Sequence, residues 1–291
     1  MATVGKVAEI WRYPFKSMGG QKIDRVAIGP NGLVGDRGWA LRDEAAGEIR
    51  GAKKLPALMQ CQAKYLAEPG EGVIPHVEIT LPSGERVKTS DAGIAAKLSA
   101  FLGRAVTPWP LQPPSALDHY RHGQPDNPDI MVELREIFGR TADEPLPDLE
   151  PFVKIGLIEF TSPLGTYFDA FPLHLVTTAT LKHLGGFNSN ARFDVRRFRP
   201  NILIELDNAP DDFVEAQWSG KHLRIGAALI DVVGPCPRCV MTTLPQEGLA
   251  KDPSVLRTIV KDAAQNVGIY ASPASSVALA TVAVGDRVEL N

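Results

Sequence analysis

The sequence predicts a mainly β chain with α-helices (α+β): an N-terminal β-barrel-like unit, then a second β-rich unit with peripheral helices. Three observations carry this. Short runs alternate apolar and polar residues with the period of two that half-buried strands require. The 26 glycines and 24 prolines among 291 residues punctuate the chain often enough to favour short strands over long helices. Apolar spacing of helical period is confined to four brief windows.

Taken in order, residues 5–13 alternate up to Pro14 and read as a strand entering a loop. Strands are also predicted at residues 24–28, 38–42, 62–66 and 77–80, with turn signals between them such as Gly29-Pro30-Asn31-Gly32 and Pro82-Ser83-Gly84. This rhythm places the barrel-like unit at residues 1–107. It ends in a helix over 91–102, which Asp91 is expected to cap and Gly103 to stop. Residues 108–150 read as a linker or surface excursion. Nine prolines fall from Pro108 to Pro151, and residues 118–150 hold nine acids against three arginines. One short helix is expected there, at 130–138, where Ile130, Leu134, Ile137 and Phe138 share a face. The second unit spans residues 151–291. In it an extended 173–176 leads into a helix over 177–184. Strands are predicted at 201–206 and 223–233, a helix at 254–266, and a closing strand pair at 280–290 around Gly285-Asp286.

Composition excludes several classes. With 44% hydrophobic and 22% charged residues the chain can bury a large core. A net charge of −3, from 31 basic and 34 acidic residues, supplies no global field for a phosphate backbone, so no nucleic-acid partner is expected. No apolar run approaches the ~20 residues that span a bilayer. The first residues, Met1-Ala2-Thr3-Val4-Gly5-Lys6, carry neither a secretory signal nor a transit segment, which predicts a cytoplasmic location and no membrane partner. Three cysteines cannot build a disulfide framework, so their role is expected to be chemical.

The sharpest motif is Gly234-Pro235-Cys236-Pro237-Arg238-Cys239. A zinc site lacks a second ligand pair, and a thioredoxin-type pair lacks its βαβ surroundings. Two ordinary half-buried cysteines are the plain alternative. What sets the motif apart is Arg238 beside Cys239, since a guanidinium favours the thiolate that binds soft metals or attacks. A second feature is the cluster Arg192, Arg196, Arg197 and Arg199, with Asn201 behind Pro200. On a strand edge Arg197 and Arg199 would point the same way and clamp a phosphate or carboxylate. Tyr13-Pro14-Phe15-Lys16-Ser17 ends a strand with one cation and one hydroxyl, and Gly35-Asp36-Arg37-Gly38-Trp39 offers an acid–base pair at a turn.

Together with Leu173–Leu181, Trp218-Ser219-Gly220-Lys221, Thr242-Thr243 and Val284-Gly285-Asp286, these segments resemble the two-part family built from an N-terminal β-barrel domain and a MOSC domain. That family includes amidoxime-reducing components and bacterial reductases of N-hydroxylated compounds. The resemblance implies a molybdenum–molybdopterin cofactor between the two parts, with the metal held by the Cys239 thiolate. It further implies cofactor contacts from Lys16, Ser17 and Arg37 on one side. On the other it implies Thr177, Thr178, Thr180, Arg199, Asn201 and Arg238, the threonines opening a helix as an anion site. Pro237 stands where eukaryotic relatives carry serine, which removes one N–H donor. The activity expected is two-electron reduction of small N-hydroxylated substrates, amidoximes and hydroxylamines, fed by a separate electron-donor protein. The alternatives are a sulfur carrier using a Cys239 persulfide, or a cofactor-storage protein. Cys236 is expected to support Cys239, and His174 to be a hydrogen-bonded structural residue.

Overall fold

Seven strands close into a barrel: β1 (Ala2–Arg12), β2 (Leu173–Thr177), β3 (Ile202–Leu206), β4 (His222–Ile225), β5 (Ala228–Pro237), β6 (Asn266–Pro273) and β7 (Arg287–Leu290). This is a computed structural model, and it describes residues 1–208, 210–274 and 279–291. Around the barrel the order is β1-β3-β2-β6-β5-β4-β7 and back to β1. Every pairing is antiparallel except β2 with β3. Parallel neighbours need a crossover, and helix α1 (Thr178–Phe187) supplies part of it. Alternate residues such as Val7, Leu175, Ile204, Leu223, Ile230 and Ile269 point inward and fill the barrel.

The first strand of the chain thus closes a barrel otherwise built from its C-terminal half. Its residues Gly5–Ile10 pair with β3, and Ala2–Lys6 pair with β7. The loop after β1 is thereby carried to the end of β3, where Tyr13 donates its hydroxyl to the Pro200 carbonyl at 3.1 Å.

Six of the remaining N-terminal strands form two three-stranded antiparallel sheets. One joins Val106–Pro110, Trp39–Asp43 and Glu48–Arg50; the other joins Gln62–Tyr65, Val77–Thr80 and Arg86–Lys88. With the helix Ile94–Leu102 they enclose Phe15, Met18, Leu41, Leu58, Ile79 and Leu98. A third small sheet pairs Arg25–Gly29 with Gly32–Leu33 and Ala280–Ala283.

Several elements depart from the sequence-based expectation. Asp91 does not cap the helix at Ile94; its carboxylate accepts the Lys88 amide instead, and Gly93 stands at the cap with φ 81°. The expected strand at 223–233 is a hairpin, because Gly226 turns the chain at φ 55° between β4 and β5. β6 lies where a helix at 254–266 was expected to end; the helix α2 (Pro253–Asp262) is shorter. The run at 280–290 does bend at Gly285, but its two halves join different sheets. The excursion is stitched down rather than trailing. Asp126 accepts from Arg50 at 2.9 Å, Glu133 pairs with Lys54 at 2.8 Å, and Glu144 pairs with Arg257 at 2.6 Å. Its helix Ile130–Phe138 buries no residue fully, so the shared apolar face is only partly covered. Among the described residues no helix is long and apolar enough to cross a membrane.

Candidate functional site

The end of β1, the turn at Asp36-Arg37 and the segment before β3 meet at Tyr13. Asp36 organises the junction: its carboxylate accepts the Tyr13 amide at 2.8 Å and the Asn201 side-chain amide at 2.9 Å, and forms an ion pair with Arg37. Two guanidinium groups lie over the Tyr13 ring, Arg199 at 4.2 Å from its centroid and Arg37 at 4.9 Å. Burial raises the Tyr13 phenol above its ordinary pKa despite the pull of these cations. Removing Asp36 would strand a half-buried guanidinium and two buried N–H donors. Asp36→Ala is expected to cost about 3–5 kcal/mol, read from the denaturant midpoint. A loss below about 1 kcal/mol contradicts that role.

Three expected cofactor residues share a backbone signature. Ser17, Arg37 and Arg199 have φ of 68°, 52° and 55°, and only five described non-glycine residues are left-handed. Such conformations cost energy and gather at functional sites, where the fold holds a side chain in a demanded place. For Arg199 the reason is visible. Residues Val195–Phe198 form one helical turn, not the strand edge expected, and Arg199 ends it. Arg197 and Arg199 therefore diverge. Arg197 is buried and donates to the carbonyls of Arg192, Thr242 and Ala250, which braces the segment following Cys239. Arg199 donates Nη1 to the Met18 carbonyl at 2.6 Å, while its buried Nη2 has no partner among the described residues. Burial, then the charge of Arg37, lowers its pKa to about 10.

Lys16 is buried and donates to the Tyr167 carbonyl at 2.9 Å, the Phe168 carbonyl at 3.2 Å and the Asp169 carboxylate at 3.0 Å. Burial lowers its pKa, with Asp169 opposing. The Asp169 carboxyl, despite burial, is held well below the usual carboxylate range by Lys16, Lys53 and Arg37. Ser17 accepts the Ala52 amide at 2.9 Å. Sequence reasoning missed Lys53 and Asp169. Neither sits in a motif, and only the folded chain brings them to Lys16.

The cysteine motif is arranged differently from its linear reading. On the extended end of β5, Cys236 and Arg238 have the same parity and share a side, and Cys239 points away. Arg238 accordingly donates Nη1 to Cys236 Sγ at 2.8 Å and Nη2 to the Phe198 carbonyl at 2.7 Å. Its buried Nε has no partner among the described residues. Cys236 is 1% exposed, and burial raises its thiol pKa against the pull of Arg238. Cys239 is half-buried and packs against the core of the N-terminal unit. Against partial desolvation, the charge of Asp169 and then that of Cys239 raise the pKa of Lys53, whose side chain is 34% exposed. Cations from both units (Lys16, Arg37 and Lys53; Arg199 and Arg238) thus gather around two sulfurs and one carboxylate.

The threonines face elsewhere. The Glu215 carboxylate accepts the Thr177 amide at 3.1 Å, the Thr177 hydroxyl at 2.8 Å and the Thr180 hydroxyl at 2.7 Å. The expected anion site at the start of α1 is therefore occupied by the protein's own buried carboxylate, with Thr178 half-buried beside it. Asn201 likewise serves the scaffold: its carbonyl accepts the His174 amide at 3.1 Å and its NH2 reaches Asp36.

His174 is buried, hydrogen-bonded to the Val267 carbonyl at 3.1 Å. Burial, then the charge of Arg238, holds its pKa well below the ordinary value. A group depressed in this sense binds its proton more weakly folded than unfolded. Its stabilising effect is complete above about pH 6.5 and is lost as pH falls below that, with a slope of up to about 1.4 kcal/mol per pH unit. Melting at pH 7.5 and 5.5 should show a larger acid loss in the wild type than in His174→Gln. Equal losses contradict this.

The MOSC domain family model matches residues 164–289, and that of the MOSC N-terminal beta barrel domain matches residues 4–101. These two matches define a two-part domain architecture: the chain belongs to the MOSC-domain proteins that carry the N-terminal barrel domain. It is 27% identical to mitochondrial amidoxime reducing component 2 of Rattus norvegicus, over 98% of this chain and 83% of the relative. It is 26% identical to the Homo sapiens protein of that name, over 88% of this chain and 72% of the relative. A molybdenum cofactor sulfurase of Danio rerio is 24% identical over 87% of this chain, which spans 30% of that longer protein. Among solved structures, the YUAD protein from Bacillus subtilis is similar over 99% of this chain and 95% of its own, with a TM-score of 0.44 and 11% identity.

Proposed function

We propose that the chain is a molybdenum-dependent reductase of small N-hydroxylated compounds, with the molybdenum–pterin cofactor held between the two units. The observation that supports this reading is a set of five cations from both halves around the Asp169 carboxylate and the Cys236–Cys239 segment, two of which, Arg199 and Arg238, have buried N–H groups with no partner among the described residues. A cationic cradle with spare donors matches an anionic, phosphate-bearing pterin. The Cys239 thiolate matches a soft metal–sulfur centre. Lys16, Arg37, Arg199 and Arg238 would hold the cofactor, and Cys239 would hold the metal. Ser17 and Asn201 shape the backbone around them.

When bound, the cofactor would supply a two-electron centre able to take oxygen from an N–O bond. The protein's part is positioning and charge. Arg199 and Arg37 fix the orientation through their stacking on Tyr13, and Lys16 and Lys53 offset negative charge beside Asp169. A separate donor protein would deliver electrons.

The relatives named as sulfurases favour one second reading, a sulfur carrier with a Cys239 persulfide. Elemental analysis of protein from a pterin-producing host, paired with benzamidoxime reduction by a chemical donor, tests the first reading. Metal-free protein bearing cyanide-releasable sulfur at Cys239 supports the second.

A further inference from the structure

Arg238 lies on a segment that leaves β5 and has no strand partner for its own backbone. Its amide instead donates to the Gln265 carbonyl at 2.8 Å, and its carbonyl accepts from Gln265 Nε2 at 3.0 Å. Both backbone polar groups of the residue preceding Cys239 therefore end on one glutamine. Gln265 is fully buried and holds φ 66°. A long, non-glycine side chain kept in the left-handed region is a conformation the surroundings must impose.

The glutamine has further partners, and they come from the excursion. Nε2 also donates to the Phe138 carbonyl at 2.9 Å, and Oε1 accepts Arg140 Nε at 2.6 Å. The helix Ile130–Phe138 ends at this contact and begins beside Lys54, to which its Glu133 is paired. Gly139 packs directly against Leu256 and Val240, the residue after Cys239. The excursion thus runs from the N-terminal unit to the loop that presents Cys239, and Gln265 is where the two are joined.

We infer that Gln265 is a positioning residue for the Arg238-Cys239 segment, and that Arg140 sets the amide plane of Gln265. With Oε1 taken by the guanidinium, the NH2 group must face the two carbonyls. Loss of that orientation would free the segment without removing any charge from the cation cradle. The inference rests on the reading of Cys239 as the metal-anchoring residue, but it is a statement about the loop and can be read without metal.

The test uses the full chain, with each modified cysteine located by peptide mass spectrometry. In metal-free protein at one pH and 10 °C, Gln265→Met, which keeps the length but not the hydrogen bonds, should speed iodoacetamide alkylation of Cys239 by about tenfold. Arg140→Ala should speed it about threefold, and Arg140→Lys, which restores one donor, should return it near the wild-type rate. In protein from the pterin-producing host, molybdenum retained through gel filtration should fall in the same order. A purely structural glutamine would lower the melting temperature while leaving the alkylation rate and the Arg140 pair unaffected, and that result overturns the inference. Should Gln265→Met fail to fold, the Arg140 pair decides alone. Retention of molybdenum by Cys239→Ala would instead defeat the anchoring reading, whatever the alkylation rates show.

Discussion

Cys239→Ala is expected to yield a folded protein that retains no molybdenum. The side chain is small and half-buried, and no hydrogen bond to its sulfur is found among the described residues, so its loss should change stability by no more than about 1 kcal/mol. Removing a metal-anchoring thiolate should cost more than the 10–100-fold typical of outer-shell partners, so retained metal should fall by about 100-fold or more. Cys236→Ala provides the contrast. That sulfur is buried and accepts a hydrogen bond from Arg238. Its removal should lower stability by about 1–3 kcal/mol by leaving a buried donor unpaired, while part of the metal is retained. Inductively coupled plasma analysis and thermal melts of the two variants read these effects separately, and the opposite pattern would exchange the roles of the two cysteines.

Arg199→Ala is expected to lose both cofactor retention and stability. On sequence alone this arginine reads as a surface residue whose loss is structurally cheap; at 6% exposure it is not. It would forfeit a charge-assisted bond to the Met18 carbonyl and the stack on Tyr13, together about 2–4 kcal/mol. Retention should fall further still, because Nη2 is a buried donor without a partner among the described residues, which on the proposed reading the cofactor's anionic group would supply. Arg199→Lys separates the two effects. It keeps the charge but loses the planar fork, so folding should largely recover while retained molybdenum stays at least about tenfold below wild type. Full retention in the lysine variant would mean that charge alone suffices.

Much of the scaffold is legible in local pattern, because strands and helices report their periods. The strands at Arg25–Gly29, Trp39–Asp43, Gln62–Tyr65 and Val77–Thr80 lie within a residue of their predicted windows. Pairing is less legible. Nothing in Ala2–Arg12 says that it closes a barrel with strands 170 or more residues away, since an alternating strand fits any sheet with a free edge. The site divides the same way. Lys16, Arg37, Arg199 and Arg238 stand at strand ends and turns within readable motifs, whereas Asp169, Lys53 and Gln265 join them only through topology. The pairing of Arg238 with Cys236 was available in principle from the period of two along β5. Adjacency in sequence is a poor guide where the chain is extended, because neighbours face opposite sides. Glu215 gave no signal either: a single acid before Trp218 does not reveal that it will accept the Thr177 and Thr180 hydroxyls at the start of α1.

The most direct measurement is anomalous X-ray scattering at the molybdenum edge on crystals of protein from a pterin-producing host. One peak beside Cys239 Sγ is the predicted result. A density map with no peak, or with its peak at Cys236 or outside the cation cluster, would contradict the account.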